Sequence, residues 1–122
     1  MARVLVVDDD EQICTLVSRL LENDGHTPDV ANTGVEALAK LADDSFDLML
    51  LDLVMPDKGG IETIMEIRRT APGLPIVVMS GKVTFGEASV TRLIEQYGAL
   101  ATLPKPFSSD ELRKAVMTAL SR

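Results

Sequence analysis

Asp47-Leu48-Met49-Leu50-Leu51-Asp52 is an unbroken apolar run with a carboxylate at each end. A strand with one wet face alternates apolar and polar residues, whereas a run without alternation is covered on both faces, as in a buried parallel sheet. Moving toward the amino end, Arg3 to Val7 has the same character, with Val4-Leu5-Val6-Val7 leading into Asp8-Asp9-Asp10. Glu11 to Leu21 follows with Ile13, Leu16, Val17, Leu20 and Leu21 at helical spacing, and Asp24-Gly25 marks its end. Thr27 to Ala31 reads as a second strand, and Thr33-Gly34 as the turn before a helix carrying Leu38 and Leu41.

Toward the carboxyl end, Met55-Pro56-Asp57-Lys58-Gly59-Gly60 is a loop, and Ile61, Ile64, Met65 and Ile67 mark a helix that stops near Ala71-Pro72. Pro75 to Met79 is the fourth strand. After Ser80-Gly81 and a less regular stretch, a fourth helix carries Val90, Leu93 and Ile94 and ends at Tyr97-Gly98. Leu100 to Leu103 is the fifth strand. The last helix starts after Phe107, where Ser108 and Glu111 have capping-box spacing, and carries Leu112, Val116 and Leu120. Strands alternating with helices in this way predict an α/β fold: a doubly wound, five-stranded parallel sheet with right-handed crossovers and five helices on its two faces.

A chain of 122 residues suits one domain with a single hydrophobic core system, and 46% hydrophobic with 25% charged residues is a globular composition. Twelve basic against 19 acidic side chains give a net charge of −7, which disfavours a domain that grips nucleic-acid phosphates by itself. Proteins, metal ions and small molecules are the expected partners. The single cysteine, Cys14, excludes an internal disulfide and lies in an apolar-periodic stretch, so it reads as a buried free thiol. The run Val4 to Val7 is too short for a signal peptide or a membrane span, and the expected location is the cytoplasm. His26 has no second histidine or cysteine placed to complete a zinc site and reads as a surface or satisfied, partly buried residue.

Ligands of parallel α/β sheets collect outside the carboxyl ends of the strands. Here the first strand ends in Asp8 and Asp9, the third in Asp52 and the fourth in Ser80, and the fifth is followed by Lys105. Taken singly, each has an ordinary explanation: helix N-caps for Asp8 and Asp9, a turn for Ser80-Gly81, solvated surface for Lys105. Their joint placement at one edge points to a single constellation. Carboxylates gathered there repel one another unless a cation lies between them, and magnesium, with its preference for oxygen ligands, fits. Asp52 would then act both as metal ligand and as nucleophile toward a phosphoryl group. Lys105 would pair with Asp52 at rest and with acyl phosphate oxygens afterwards, and Ser80 would offer its hydroxyl to the same oxygens. Gly81 has no side chain to block a donor, and Lys105-Pro106 is a candidate for a cis peptide bond.

Four segments carry a resemblance to the response regulator receiver domain of two-component signalling. They are Val6-Val7-Asp8-Asp9-Asp10, Leu51-Asp52-Leu53-Val54-Met55-Pro56 with Gly59-Gly60, Val78-Met79-Ser80-Gly81, and Leu103-Pro104-Lys105-Pro106-Phe107. They stand in family order across almost the whole chain. The resemblance implies a chemotaxis-regulator-like fold with the flavodoxin-like strand order 2-1-3-4-5, in one receiver domain over residues 1–122. It also implies Asp52 as phosphoacceptor, Ser80 and Lys105 as the family's hydroxyl and lysine, and Mg2+ (or Mn2+) held by Asp8, Asp9, Asp52 and the Val54 carbonyl. The implied donor is a phosphohistidine on a sensor histidine kinase or a histidine phosphotransfer protein. The implied protein is a regulatory module that catalyses its own phosphorylation and dephosphorylation. By the same resemblance, the first helix and strand-end loops meet the kinase, while the fourth helix and fifth strand serve a homodimer or a downstream effector. No direct nucleic-acid or membrane contact is implied for this domain.

Two departures from the family pattern stand out. Thr102 occupies the position three residues before Lys105 where the family places Tyr or Phe, so a rotating aromatic ring cannot be the readout. Ser80 and Lys105 are 25 positions apart, longer than the family spacing, with the excess in Lys82-Val83-Thr84-Phe85-Gly86-Glu87. A non-phosphorylated, receiver-like binding scaffold is therefore the runner-up. An aspartate-nucleophile phosphatase wants a second aspartate where Val54 stands, and a dinucleotide site wants a glycine-rich turn that the first strand lacks.

Overall fold

The apolar runs form five strands: β1 (Arg3–Val7), β2 (Thr27–Ala31), β3 (Leu48–Asp52), β4 (Ile76–Ser80) and β5 (Ala99–Pro104). In the computed structural model, which describes residues 1–52, 60–80, 96 and 99–121, they build one sheet in the order β2-β1-β3-β4-β5. Every pairing is parallel. The chain winds outward from β1 to β2 and then returns to lay β3 on the other side of β1. The reversal puts the topological switch point between β1 and β3, where the carboxyl ends of the two strands part to make a crevice.

Strand boundaries shift by small amounts with local causes. β4 begins at Ile76 instead of Pro75: the proline carbonyl accepts from the Met49 N–H at 2.9 Å, but proline has no N–H to return. β5 is longer than its apolar run and carries an irregularity. Ile76 pairs with Ala99 but Val77 pairs with Ala101, so Leu100 is an extra residue on the β5 side.

Four helices are present among the described residues: α1 (Glu11–Asn23), α2 (Gly34–Asp43), α3 (Gly60–Thr70) and a C-terminal helix (Ser109–Leu120). The expected fourth helix, with Val90, Leu93 and Ile94, lies outside the described residues. Each of three N-termini is closed by a side chain that accepts otherwise orphaned N–H groups. Asp10 Oδ1 accepts from Gln12 and Ile13, and the Thr33 hydroxyl from Glu36. Ser108 and Glu111 form the expected capping box, each accepting from the other's N–H at 3.1 and 2.9 Å. α1 stops at Asp24, followed by Gly25 at φ +86°, a left-handed turn that a side chain would strain.

Side-chain alternation along the strands divides the core into two layers. Leu5, Val7, Met49, Leu51, Ile76 and Val78 face Ala37 of α2 and Ile64 and Ile67 of α3. Val4, Val6, Leu48, Leu50, Val77 and Met79 face Cys14, Val17 and Leu21 of α1 and Leu112, Val116 and Ala119 of the C-terminal helix. Two residues expected on apolar faces are not in the core: Leu16 is 49% and Met65 39% exposed. Thr63 is fully buried, on the same side of α3 as Ile67 four residues on. Among the described residues, no helix is long and apolar enough to cross a membrane.

Candidate functional site

Register brings the acidic residues together. Val7 pairs with Leu51, so Asp8 and Asp52 occupy the next positions on adjacent strands at the switch point. They continue the alternation of Val4 and Val6 on one strand and Leu48 and Leu50 on the other, which sends both carboxylates to the same side. Asp8 is completely buried and Asp52 is 5% exposed, while Asp9 is exposed. One carboxylate oxygen from each of Asp8, Asp9 and Asp52 can be chosen so that the three lie within 4.8 Å of one another.

Lys105 reaches this cluster from the far end of β5. Its Nζ stands 2.6 Å from Asp8 Oδ2 and 3.7 Å from Asp52 Oδ2. The closest ion pair is thus with Asp8, and the pairing with Asp52 expected from the sequence is the longer contact. Burial pushes the Lys105 ammonium down, but its hydrogen bond to Asp8 and the charges of Asp52, Asp8 and Asp10 outweigh that and hold its pKa above the ordinary lysine value. Lys105-Pro106 is cis, as the sequence suggested.

Asp8 is gripped through its main chain as well. Its N–H donates to the Ala31 carbonyl at 3.1 Å, and its own carbonyl accepts from Asn32 Nδ2 at 3.1 Å and from the Cys14 thiol at 3.3 Å. Its Oδ1 accepts from the Asp10 N–H at 2.9 Å. Asp10, not Asp8 or Asp9, is the cap of α1. Asn32 is not among the residues the sequence singles out, and Asp10 stands in the quoted Asp8-Asp9-Asp10 run without a role of its own. The strand-end rule, applied to β2 as to the other strands, points to Asn32 directly after Ala31.

Ser80 closes β4 opposite Pro104, one position before Lys105. Val54, Gly81 and the 82–87 segment lie outside the described residues. Thr102 lies opposite Val78 in β5 and is exposed. Cys14 is a buried free thiol, as expected. His26 is half-buried, and its Nδ1 accepts from the Ala2 N–H at 3.1 Å, consistent with a satisfied structural residue.

Three carboxylates against one ammonium leave a formal surplus of two negative charges in this crevice. Hard oxygen donors with that surplus suit a divalent cation such as Mg2+, and the absence of a thiolate or imidazole among the clustered donors argues against a zinc-type set. The residues present therefore fit the ion. The Asp52 carboxylate and the Lys105 ammonium belong to the same cluster, 3.7 Å apart.

Comparison with known proteins supplies the family and the fold. The sequence profile of the response regulator receiver domain matches residues 4–117. A protein named transcriptional regulatory protein CpxR homolog, from Haemophilus influenzae, is 40% identical over 122 residues, covering 100% of this chain and 52% of that protein. Response regulator MprA of Mycobacterium ulcerans is 38% identical over 120 residues, 98% of this chain and 50% of its own length. The chain thus spans about half the length of these relatives. Among solved structures, a CheY-like receiver domain protein from Methanospirillum hungatei superposes with a TM-score of 0.91 at 30% identity, covering 99% of this chain and 94% of that one.

Proposed function

Because this chain belongs to the family of response regulator receiver domains, we propose that its switch is the transfer of a phosphoryl group onto Asp52 in a Mg2+-dependent reaction. The observation that carries this reading is the buried Asp52 carboxylate held between Asp8, Asp9 and Lys105 at the switch point of the sheet. Asp52 would attack the phosphorus of a phosphohistidine, forming a new phosphorus–oxygen bond while the bond to the imidazole nitrogen breaks. When bound, Mg2+ offsets the charge shared by the phosphoryl oxygens and the carboxylates. Asp9 and Asp52 would hold it with Asp8, and with the Val54 carbonyl that the family resemblance assigns. Mn2+ would substitute for it.

Lys105 already lies 3.7 Å from Asp52, so a short movement away from Asp8 would carry its ammonium to a phosphoryl oxygen. Ser80, last in β4, is assigned the hydroxyl role. With Thr102 in place of an aromatic ring, Ser80 and the segment after it would carry the readout, which needs a difference in contacts between two states and no particular ring.

The donor we assign is a cytoplasmic sensor histidine kinase or histidine phosphotransfer protein. The whole of residues 1–122 is assigned to one receiver domain, controlling an effector or a second copy through the β5 side. The exposed Thr102 favours one alternative, a receiver-like scaffold that binds partners without being phosphorylated. Incubation with Mg2+ and acetyl phosphate, followed by intact mass, separates the two. A single phosphoryl adduct, absent from Asp52→Asn and from an EDTA control, is the expected result. No adduct from acetyl phosphate or from a panel of histidine kinases, on a folded sample, would leave the scaffold reading in its place.

A further inference from the structure

We propose that Asn32 is a positioning residue for the carboxylate cluster: its side-chain amide ties the end of β2 to the main-chain carbonyl of Asp8 and so fixes the carboxylate that meets Lys105. The inference deepens the Mg2+-dependent reading above and rests on it for its consequence, though not for its geometry.

The argument begins where the β1–β2 ladder runs out. The Asp8 N–H reaches the Ala31 carbonyl, and one rung further a continuing parallel ladder would offer the Asp8 carbonyl an N–H from residue 33. Thr33 is already the cap of α2, and it is the Asn32 Nδ2 that donates to that carbonyl, at 3.1 Å. The ordinary explanation for an asparagine before a helix is capping, and here the Thr33 hydroxyl performs that role for Glu36. Asn32 is therefore directed at Asp8.

The other side-chain donor to the same carbonyl is the Cys14 thiol at 3.3 Å, with Asn32 Nδ2 also 3.8 Å from that sulfur. A thiol is a weak donor, so the amide is the main anchor. What it anchors is tightly connected. Asp8 is fully buried, its Oδ1 takes the Asp10 N–H and its Oδ2 takes Lys105. A turn of the Asp8 peptide would move both contacts, and with them one wall of the space between Asp8, Asp9 and Asp52.

Two measurements on the intact chain test this: Mg2+ affinity by calorimetry, and amide hydrogen exchange at Asp10 in metal-free protein by NMR. Asn32→Ala, and Asn32→Leu as a variant of similar size without a donor, are compared with Thr33→Ala, which removes a neighbouring cap and leaves the bond to Asp8. The expected result is faster exchange at Asp10 and Mg2+ binding weakened about three- to tenfold in both Asn32 variants, the range expected for losing one hydrogen bond's net worth. Thr33→Ala should lower thermal stability with Mg2+ affinity unchanged. Wild-type exchange at Asp10 and wild-type Mg2+ affinity in whichever Asn32 variant folds would overturn the proposal. Failure of the wild-type protein to bind Mg2+ would overturn the metal reading instead, and exchange at Asp10 would then decide the positioning role alone.

Discussion

Lys105→Met keeps an unbranched side chain of similar length and removes its charge. In the metal-free protein the substitution strands Asp8, which is fully buried and 2.6 Å from the Lys105 ammonium, itself only 18% exposed. Deleting one partner of a buried pair typically costs about 3–5 kcal/mol, because the remaining charge has lost both water and counter-ion. Two features lower the figure here. Asp8 Oδ1 keeps the Asp10 N–H, and the cluster is open to solvent on the Asp9 side. We therefore expect a loss of about 2–3 kcal/mol, roughly a 30- to 150-fold change in the unfolding constant. Urea unfolding in EDTA, followed by far-UV circular dichroism, measures it. Adding Asp8→Asn to Lys105→Met should recover part of the loss, since the stranded charge is then gone, and the double-mutant cycle isolates the coupling. Mg2+ should stabilise Lys105→Met more than the wild type, because a cation in the crevice replaces the missing one. A metal-free Lys105→Met within about 0.5 kcal/mol of the wild type would show that the Asp8 contact is not a buried ion pair in solution.

Further tests follow from neighbouring features. Because Lys105 has a raised pKa in the folded state, its contribution is complete below the ordinary value of 10.5 and is lost as the pH climbs through the higher folded value. Alkaline unfolding above that point should therefore be steeper for the wild type than for Lys105→Met, and parallel curves would contradict it. Burial, joined by the charges of Asp8 and Asp10, pushes the Cys14 thiol up to about 11 from 9.0, so its thiolate at neutral pH is about a hundredfold scarcer than that of a free thiol. Reaction of the native protein with a disulfide reagent should be slower than that of the urea-unfolded chain by at least this factor, and comparable rates would refute the burial. Arg68 spreads its guanidinium over the carbonyls of Ala71, Pro72 and Leu74 at 3.2, 3.1 and 2.6 Å, closing the turn from α3 to β4. Arg68→Lys cannot reproduce that fork and should cost about 1–2 kcal/mol in thermal unfolding; a loss below about 0.3 kcal/mol would show that the fork adds little.

The sequence was most legible where burial is complete. Leu48 to Leu51 and Val4 to Val7 read as covered strands because both of their faces are covered, one layer by α1 and the C-terminal helix, the other by α2 and α3. Helix faces were less legible. Thr63 holds a fully buried place while Met65 stays 39% exposed, since position on the helix decides burial and a methionine two residues from that stripe does not reach it. At the site, Asp8, Asp9, Asp52 and Lys105 could be gathered in advance because each ends or follows a strand. Their pairing could not, because the preference of Lys105 for Asp8 over Asp52 depends on where a long side chain comes to rest across three strands. Asn32 escaped notice for a related reason: its bond to Asp8 exists only because two segments distant in the chain run side by side with one register.

The contact between Lys105 and Asp8 joins residues 97 positions apart, nearly the full span of the chain. Most of the sheet must therefore be assembled before it can form, and a ribosome must have released β5 before Asp8 meets its cation. Pairing of β1 with β3 alone sets Asp8 beside Asp52, but without the segment after β5 the ammonium that meets them is missing. If the proposed switch operates here, competence at this centre would be in that sense a certificate of completed folding, withheld from a half-made or misfolded copy.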